Sequence, residues 1–579
     1  MTHLRAFLPA LLLAACSASS ADVRRADATP PVRRLVIVGI NDVHGALLAS
    51  PAPRSLAAWT TDPIGGADWL AGWMNTIRRD ARGRGGEALL IDAGDEFQGT
   101  LLSNQFHGRP VVDAFNEMGV AAAALGNHEF DFGIPVLLDR MKEARYPMLA
   151  ANIFDKATRQ RPAWARPSAM LDVGGVKVGV VGLVTVDTPT VTNPLIVAHL
   201  EFAPGEEVAA AEADALRARG ATVVILAAHA GPFPPDQEIQ HIAQAVQGKV
   251  DAIVSGHHHT SIGPPPMVVA GIPIVQAGTK LQAFSLIELT LDERGRASGF
   301  AVNEGTFPRP GGPQPIFHSV RGGAPQWHGL EVQPDARVAA VLARYDEQVR
   351  RLRETRIGST RIDLRKGRDG LLGNLVADAL RSGAGGALTA EFALQNSGGL
   401  RVPEVPAGPI TFGQIFDLYP FDNLQVVVVV PAPVIRDALE TVLRAGKLPL
   451  QVSGLRYTID WDRFSNLGRD RRAWPAGALV TEVTDDRGAE LCRTRSCSAS
   501  RCDVACAPGT HTISLSDFLA NGGDGLSMLK DAPRTVGSTL TRDIVMSYVK
   551  LHDPITPDLV GSGRRRITVN GTPLRAQVE

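Results

Sequence analysis

The stretch LVIVGINDVHG (residues 35–45) decides how the chain is read. Leu35 to Ile40 form an unbroken apolar run, the pattern of a strand buried on both faces, and the run stops at Asn41, Asp42 and His44. The same arrangement returns along the chain. Ala88–Ile91 is followed by Asp92, Gly94 and Asp95, and Ala121–Leu125 by Gly126, Asn127 and His128. Thr222–Ala227 leads to His229, and Ala252–Val254 to Gly256, His257, His258 and His259. Val176–Val184 and Ile274–Gln276 are further runs, with amphipathic stretches at Trp69–Arg79, Val111–Glu117 and Val136–Ala144 between them. Strands alternating with helices predict a layered α/β domain, and open α/β sheets take ligands beyond the carboxyl ends of their strands. Five strand ends here each carry a residue able to bind metal. Taken singly, a strand-end His is an ordinary polar residue, and Gly-Asn-His merely supplies a residue tolerant of positive φ. Their joint occurrence predicts one metal-binding edge.

Composition narrows the classes. The 579 residues hold 59 Lys+Arg against 60 Asp+Glu, a net charge of −1. No overall field is available to hold a polyanion, which excludes a nucleic-acid coat protein and leaves no nucleic acid polymer as partner. Hydrophobic residues at 44% and charged residues at 21% describe a chain that buries a large core, and disorder is excluded for most of it. No internal repeat is visible, and no apolar run after the N-terminus reaches the roughly 18 residues a bilayer span requires. Val426–Val430 stops at Pro431 and reads as a buried strand.

The chain begins MTHLRAFLPALLLAACS (residues 1–17), with Arg5 before an apolar Phe7–Ala15 segment. Leu13-Ala14-Ala15-Cys16 resembles a bacterial lipobox, so residues 1–16 are expected to be a lipoprotein signal peptide with Cys16 lipid-modified; an ordinary secretory signal is the alternative. Residues 17–33 read as a flexible tether. Either signal exports the chain. The expected location is periplasmic or cell-surface, with the lipid anchor as the membrane contact, and Ser17 after the Cys favours the outer membrane. Cys492, Cys497, Cys502 and Cys506 form an even set in an exported chain, which reads as two disulfides with three possible connectivities. A four-cysteine zinc knuckle is the rival, although the spacing lacks C-x2-C pairs.

With those residues in view, the chain resembles a calcineurin-like metallophosphoesterase, and more narrowly a bacterial 5'-nucleotidase. The matching segments are NDVHG (41–45), GDEFQGT (94–100), GNHEFDFG (126–133), Ala151-Asn152, HAG (229–231) and SGHHHT (255–260). The resemblance implies a four-layer α/β/β/α metallophosphoesterase domain over 34–330, a linker helix over 335–356, and a second, α+β nucleotide-recognition domain over 357–579. It implies two divalent metal ions, Zn, Mn, Fe or Co, with Asp95 bridging them. Asp42, His44 and His259 complete one site, and Asn127, His229 and His257 the other. Two such ions roughly 3.5–4 Å apart neutralise phosphoryl oxygens and lower the pKa of a bound water towards 7. On an extended segment alternate residues share a side, so His258 is read as non-ligating. His128, oriented by Asp131, is implied at the phosphate as the catalytic pair, and Asp131 favours the 5'-nucleotidase branch over relatives acting on 2',3'-cyclic nucleotides. As a plain reading of the residues, His128 and Asp131 are a polar pair capping the next helix.

Residues 301–334 are rich in Gly and Pro and read as a crossing segment; Ala336–Glu354 reads as a charged amphipathic helix. By resemblance, a nucleoside pocket follows. LGNLVADAL (372–380) is preceded by Asp369-Gly370 where the family has Glu-Ser, and Arg361, Arg365, Lys366 and Arg368 compete for the role of the substrate-binding Arg, with Arg365 chosen. QNSGGLR (395–401) nominates Asn396 and Arg401. Phe421 and Phe518 are implied to sandwich the base, Asn423 to hydrogen-bond its edge and Asp524 to accept from ribose hydroxyls. The Arg564-Arg565-Arg566 run reads as a solvated strand edge. The expected function is removal of phosphate from nucleoside 5'-monophosphates for salvage, with di- and triphosphates or UDP-sugars as further substrates and no protein partner. The alternatives are a 2',3'-cyclic-nucleotide phosphodiesterase/3'-nucleotidase, a thiohydrolase on the same scaffold, and a non-catalytic nucleotide-binding protein.

Overall fold

The computed structural model describes residues 33–233, 237–465, 475–498, 500–561, 565–569 and 572–573. Cys16, the rest of the signal region and all but the last tether residue lie outside them, as does Arg564.

In the first half, strands β1 (Arg34–Ile40), β2 (Gly86–Asp92), β3 (Ala122–Ala124) and β4 (Met148–Leu149) are parallel neighbours in one sheet. Strands β5 (Val176–Val184), β6 (Val223–His229), β7 (Ala252–Ser255) and β8 (Ile272–Val275) are parallel neighbours in a second. The sheets meet face to face: Leu35, Ile37, Leu89 and Ile91 pack with Val178, Val180, Val223 and Ile225. Helices α1 (Ala67–Gly83) and α2 (Arg109–Met118) cover the outer face of the first sheet through Leu70, Met74, Val111 and Phe115. Helices α3 (Gly205–Ala218) and α4 (Glu238–Ala245) cover the second through Leu216, Ile239 and Ile242. The result is four layers, α/β/β/α. Burial on both faces is why the strands read as unbroken apolar runs. Each buried Leu, Ile or Val contributes about 1.5–3 kcal/mol, and truncating Ile37 to Ala would cost about 2–5 kcal/mol. Periodicity missed strand β9 (Ala283–Leu291), which runs antiparallel beside β1.

Local chemistry sets the helix ends. Helix α2 has Pro110 in its first turn and stops at Gly119, whose φ of 66° closes the last turn. Helix α5 (Ala336–Arg353) is capped by Asp335, which accepts from the Arg337 and Val338 N–H groups at 2.8 and 3.2 Å. It lies against α2, with Tyr345 Oη donating to Asp113 at 2.5 Å.

The second half is α+β. Strands β10 (Phe392–Gln395), β11 (Leu424–Pro431) and β12 (Thr510–Ser516) belong to a five-stranded sheet in which β12 lies between the other two. Helices α6 (Leu371–Ser382), α7 (Ala432–Arg444) and α8 (Thr541–Leu551) pack with this half's cores. The Val426–Val430 run is buried in β11 except at Val429. The cysteines pair as Cys492–Cys506 and Cys497–Cys502, directly opposite one another on adjacent antiparallel strands. The zinc knuckle is thereby excluded. Arg566 corrects the reading of its run as solvated: it is partly buried and donates to both Asp378 oxygens at 2.8 and 2.7 Å. No helix among the described residues is long and apolar enough to cross a membrane.

Candidate metal and substrate site

Parallel strands end on one edge, and face-to-face packing sets the edges of the two sheets side by side. Asp42 follows β1, Asp95 follows β2 and Asn127 follows β3; His229 ends β6, and His257 and His259 follow β7. Ligand atoms of Asp42, His44, Asp95 and His259 lie within 4.8 Å of one another. His259 Nε2 is 3.2 Å from Asp42 Oδ1 and 2.9 Å from His44 Nε2. On the far side, His229 Nε2 is 3.2 Å from both Asp95 Oδ2 and Asn127 Oδ1, and the His257 ring stands 5.1 Å from that of His229. Asp95 Oδ2 also lies 3.7 Å from His44 Nε2, so this carboxylate stands between the two groups.

Asp42, His44, Asp95, His257 and His259 have φ of 51°, 51°, 61°, 79° and 52°. These left-handed backbones cost of order 1 kcal/mol or more each for a residue with a Cβ and persist only where surroundings enforce them. They also correct the argument from an extended segment: the His triplet is a tight turn. His258 lies over Gly231, where a Cβ would stand 2.1 Å from His258 Cε1, and it too lines the cleft.

Glu129, passed over in the sequence, is one of the enforcers. Its buried carboxylate accepts from the N–H groups of Gly126 (2.6 Å), Glu96 (2.7 Å), Asp95 (2.9 Å) and Phe97 (3.2 Å), tying the loop after β2 to the loop after β3. The loops touch so closely that a Cβ on Gly126 would stand 2.2 Å from Asp95 Oδ1. An acidic residue inside the Gly126–Phe130 turn, with no Lys or Arg beside it, was the available signal.

Burial would raise the Asp95 carboxyl, yet the His229, His128 and His44 imidazoles hold it well below the usual carboxylate range. Burial opposes a charge on His229, but Asp95 and Asp42 push it up to about 10. The buried carboxylates thus demand positive charge at this point. His44 and His257 are pushed well below the ordinary imidazole range, His44 by burial and Arg401, His257 by burial and His229, which leaves their lone pairs free to coordinate. His44 Nδ1 and His229 Nδ1 face the carbonyls of Gln98 and Ala93 at 2.9 and 2.8 Å, leaving each Nε2 for a metal. This cluster of Asp and His fits divalent cations bound through mixed N and O donors.

His128 stands at the edge of the cluster. Its Nδ1 is 2.6 Å from Asp131 Oδ2, and Thr192 Oγ1 donates to Asp131 Oδ1 at 2.6 Å. Burial lowers the His128 pKa, but Asp131 and Asp95 outweigh it and the net direction is up.

Above the cluster lies a cleft of about 1020 Å³ lined by both halves. His128, Asp131, Asn396, Arg401, Phe421, Asn423, Phe518 and Asp524 all line it. Phe421 stands 5.7 Å from the His128 ring. Arg401 Nη2 reaches His44 Nε2 at 2.8 Å. Asp524 accepts from Asn396 Nδ2 at 2.7 Å and pairs with Lys447 at 2.6 Å, a partner the sequence reading did not name. Arg365 is not brought into the cleft: its guanidinium is held by Asp363 and Glu404 at 3.1 and 3.2 Å, because strand pairing of Arg365 with Glu404 sets the two side chains together. Lys366, one residue on, lines the cleft instead. Burial and the neighbouring Arg401 and Lys280 push its pKa down to about 8.

Residues 35–261 match the family model of the calcineurin-like phosphoesterases, and residues 348–531 that of the 5'-nucleotidase C-terminal domain. The chain is similar to the snake venom 5'-nucleotidase of Naja atra, 30% identical over 567 residues that span 91% of this chain and 98% of the relative. Among solved structures it is similar to a 5'-nucleotidase precursor from Thermus thermophilus, with 27% identity, a TM-score of 0.73, and coverage of 93% of this chain and 100% of that one. A sulfate thiohydrolase of Thermus thermophilus shares the fold at 19% identity and a TM-score of 0.70, covering 94% and 98%.

Proposed function

Because the chain belongs to the 5'-nucleotidase family, we propose that it removes phosphate from nucleoside 5'-monophosphates in the cleft between its two halves. The observation that carries this reading is the Asp95 carboxylate, 3.7 Å from His44 Nε2 and 3.2 Å from His229 Nε2, in a cleft that Phe421 and Phe518 of the second half also line. Asp42, His44, Asp95 and His259 would hold one divalent cation, and Asp95, Asn127, His229 and His257 a second. When bound, such a pair supplies charge neutralisation of the phosphoryl oxygens and a hydroxide nucleophile near neutral pH. Asp131 occupies Nδ1 of His128, so Nε2 is the atom that donates to an anionic oxygen of the ester. Arg401 and Lys366 bring fixed cations to the same anion, and Arg401 suits it as a planar fork. The two Phe rings grip a base through stacking worth about 0.5–1.5 kcal/mol each beyond area, nearly indifferent to which base it is. Asn423 would read the base edge, and Asp524, held by Asn396 and Lys447, the ribose.

The disulfides support an exported enzyme, since such bonds persist in oxidising compartments. On this reading Cys16 carries the lipid, the enzyme is held at the periplasmic or cell surface, and its role is nucleotide salvage. A phosphate-release panel across AMP, 3'-AMP, 2',3'-cyclic AMP, ADP, ATP and UDP-glucose, with Mn, Zn and Co added separately, tests it. Release from AMP well above 3'-AMP and the cyclic nucleotide is the expected result, and the reverse order would replace the proposal with the cyclic-nucleotide alternative. A palmitate analogue should label the wild type and not Cys16→Ser.

A further inference from the structure

Lys280 does not line the cleft, yet it touches both sides of it. It lies in the turn between β8 and β9, where Lys280 and Leu281 have φ of 58° and 49°. The Lys280 backbone N–H donates to the Asp42 carbonyl at 2.8 Å, and Thr279 Oγ1 donates to the same oxygen at 2.8 Å. The Lys280 ammonium crosses to the second half and donates to the Arg401 carbonyl at 2.7 Å. One residue therefore has its main chain on an expected metal ligand and the tip of its side chain on the residue whose guanidinium reaches His44.

The electrostatics make this an unusual use of a lysine. Lys366 Nζ donates to the adjacent Leu400 carbonyl at 2.9 Å, so Lys280, Lys366 and Arg401 gather around a single turn. The acceptors they meet there are carbonyls and an imidazole, not carboxylates. Asp417 is the acid that faces Lys280, and it accepts the Leu101 N–H across the same seam. Gathering like charges away from water is unfavourable unless anions stand near them, and here Asp417 faces Lys280 while Asp95, Asp42 and Asp131 act on Arg401. A lysine serving only to fill space would not need to carry its charge to that carbonyl.

We infer that Lys280 is a positioning residue that locks the Arg401 turn in register with Asp42, setting the cationic arm against the metal-ligand edge. The inference rests on the reading of the cleft as a phosphate-ester site and adds the tie that makes its two sides act together. Lys280 touches no substrate in this role; it acts through Arg401. Removing it should therefore loosen the arm without emptying the metal edge, and should matter only while the Arg401 guanidinium is present.

The test is a double-mutant cycle on the metal-loaded full chain, read as orthophosphate affinity by titration calorimetry. K280M should weaken orthophosphate about tenfold, R401A at least as much, and the double variant no more than about twofold beyond R401A. K280R should recover most of the loss, and metal content should stay at the wild-type value throughout. An unchanged affinity in K280M, independent factors that multiply in the double variant, or no orthophosphate binding by the wild type would each overturn the inference. If K280M does not melt cooperatively, K280Q takes its place in the same cycle. Failure of the nucleotidase reading is seen separately, as a wild type that binds orthophosphate but releases none from AMP.

Discussion

The two halves of the molecule build their parts of the cleft in opposite ways. In the first half Asp42, His44, Asp95, Asn127 and His229 are almost fully buried, and Asp95, His44 and His229 are fixed from behind by Glu129, Gln98 and Ala93 in turn. In the second half Arg401, Phe421, Asn423 and Phe518 are half-buried, the first three on connecting segments and Phe518 on the single helical turn Asp517–Ala520, while Asn396 and Asp524 are held by a relay running Tyr419 to Gln395 to Asn396 to Asp524. On the proposed reading, the difference follows from what each side would do. Cation ligands have to be placed to within a fraction of an ångström, which strand ends anchored in two packed sheets achieve. A base or ribose is gripped by stacking and hydrogen bonds that tolerate adjustment, and loops on a scaffold suit that task.

The largest effect that would sharpen this contrast is Asp95→Asn. Losing the shared carboxylate should lower the metal content and cut phosphate release by about a thousandfold or more, as measured by metal analysis and turnover together. Retention of both would place the chemistry elsewhere. His128→Ala comes next: metal content should hold while kcat falls about a hundredfold. A parallel fall in metal content would make His128 a structural member of the cluster.

On the other side, Phe421→Ala with Phe518→Ala should raise KM for AMP by roughly 5–150-fold, the range that two stacking contacts of about 0.5–1.5 kcal/mol each allow. Hydrolysis of p-nitrophenyl phosphate should hardly change. Equal loss on both substrates would erase the division of labour between the halves.

The smallest expected effect concerns stability. Burial raises Glu129 from 4.5 to about 7, and Asp95 and Asp42 hold His229 near 10 against an ordinary 6.5. Both folded-state values lie above their unfolded ones, so both contributions are complete at low pH and are lost as pH rises, Glu129's between 4.5 and about 7 and His229's between 6.5 and about 10. Chelated protein should therefore melt several degrees lower at about pH 9 than at about pH 7, an interval over which His44 and His257, whose lowered values act in the opposite sense only up to pH 6.5, no longer titrate. Metal-loaded protein should show a weaker decline, because the cation supplies the charge the proton supplied. A chelated protein whose melting point rises over that interval would contradict the electrostatics described for the metal edge.

How far these regions can be read from the chain also differs. In the first half, an apolar run ending in Asp, Asn or His is a local pattern, so Leu35–Ile40 with Asp42 and Ala88–Ile91 with Asp95 announce themselves. Strand β9 escaped because Ser285, Glu288 and Thr290 leave its apolar residues with neither an unbroken run nor a regular alternation. Glu129 escaped because its role is to satisfy backbone N–H groups from two loops well separated in the chain, which no spacing encodes. In the second half, the choice between Arg365 and Lys366 turns on which of two adjacent residues faces Glu404 across a strand pair. A one-residue difference in register reverses the side a chain presents, and a cluster of basic residues offers nothing local to decide it.

By itself the sequence determined the layered α/β core, the set of residues at its strand ends and the near-neutral, cysteine-poor character of all but one loop, because periodicity and residue type act over a few neighbours. Tertiary structure alone decided that Asp95 stands between His44 and His229, that Cys492 meets Cys506, that Lys366 rather than Arg365 enters the cleft, and that Lys280 spans the seam. Those outcomes depend on the packing of sheets and the pairing of distant strands, whose geometry is set by the whole core and not by any stretch within it.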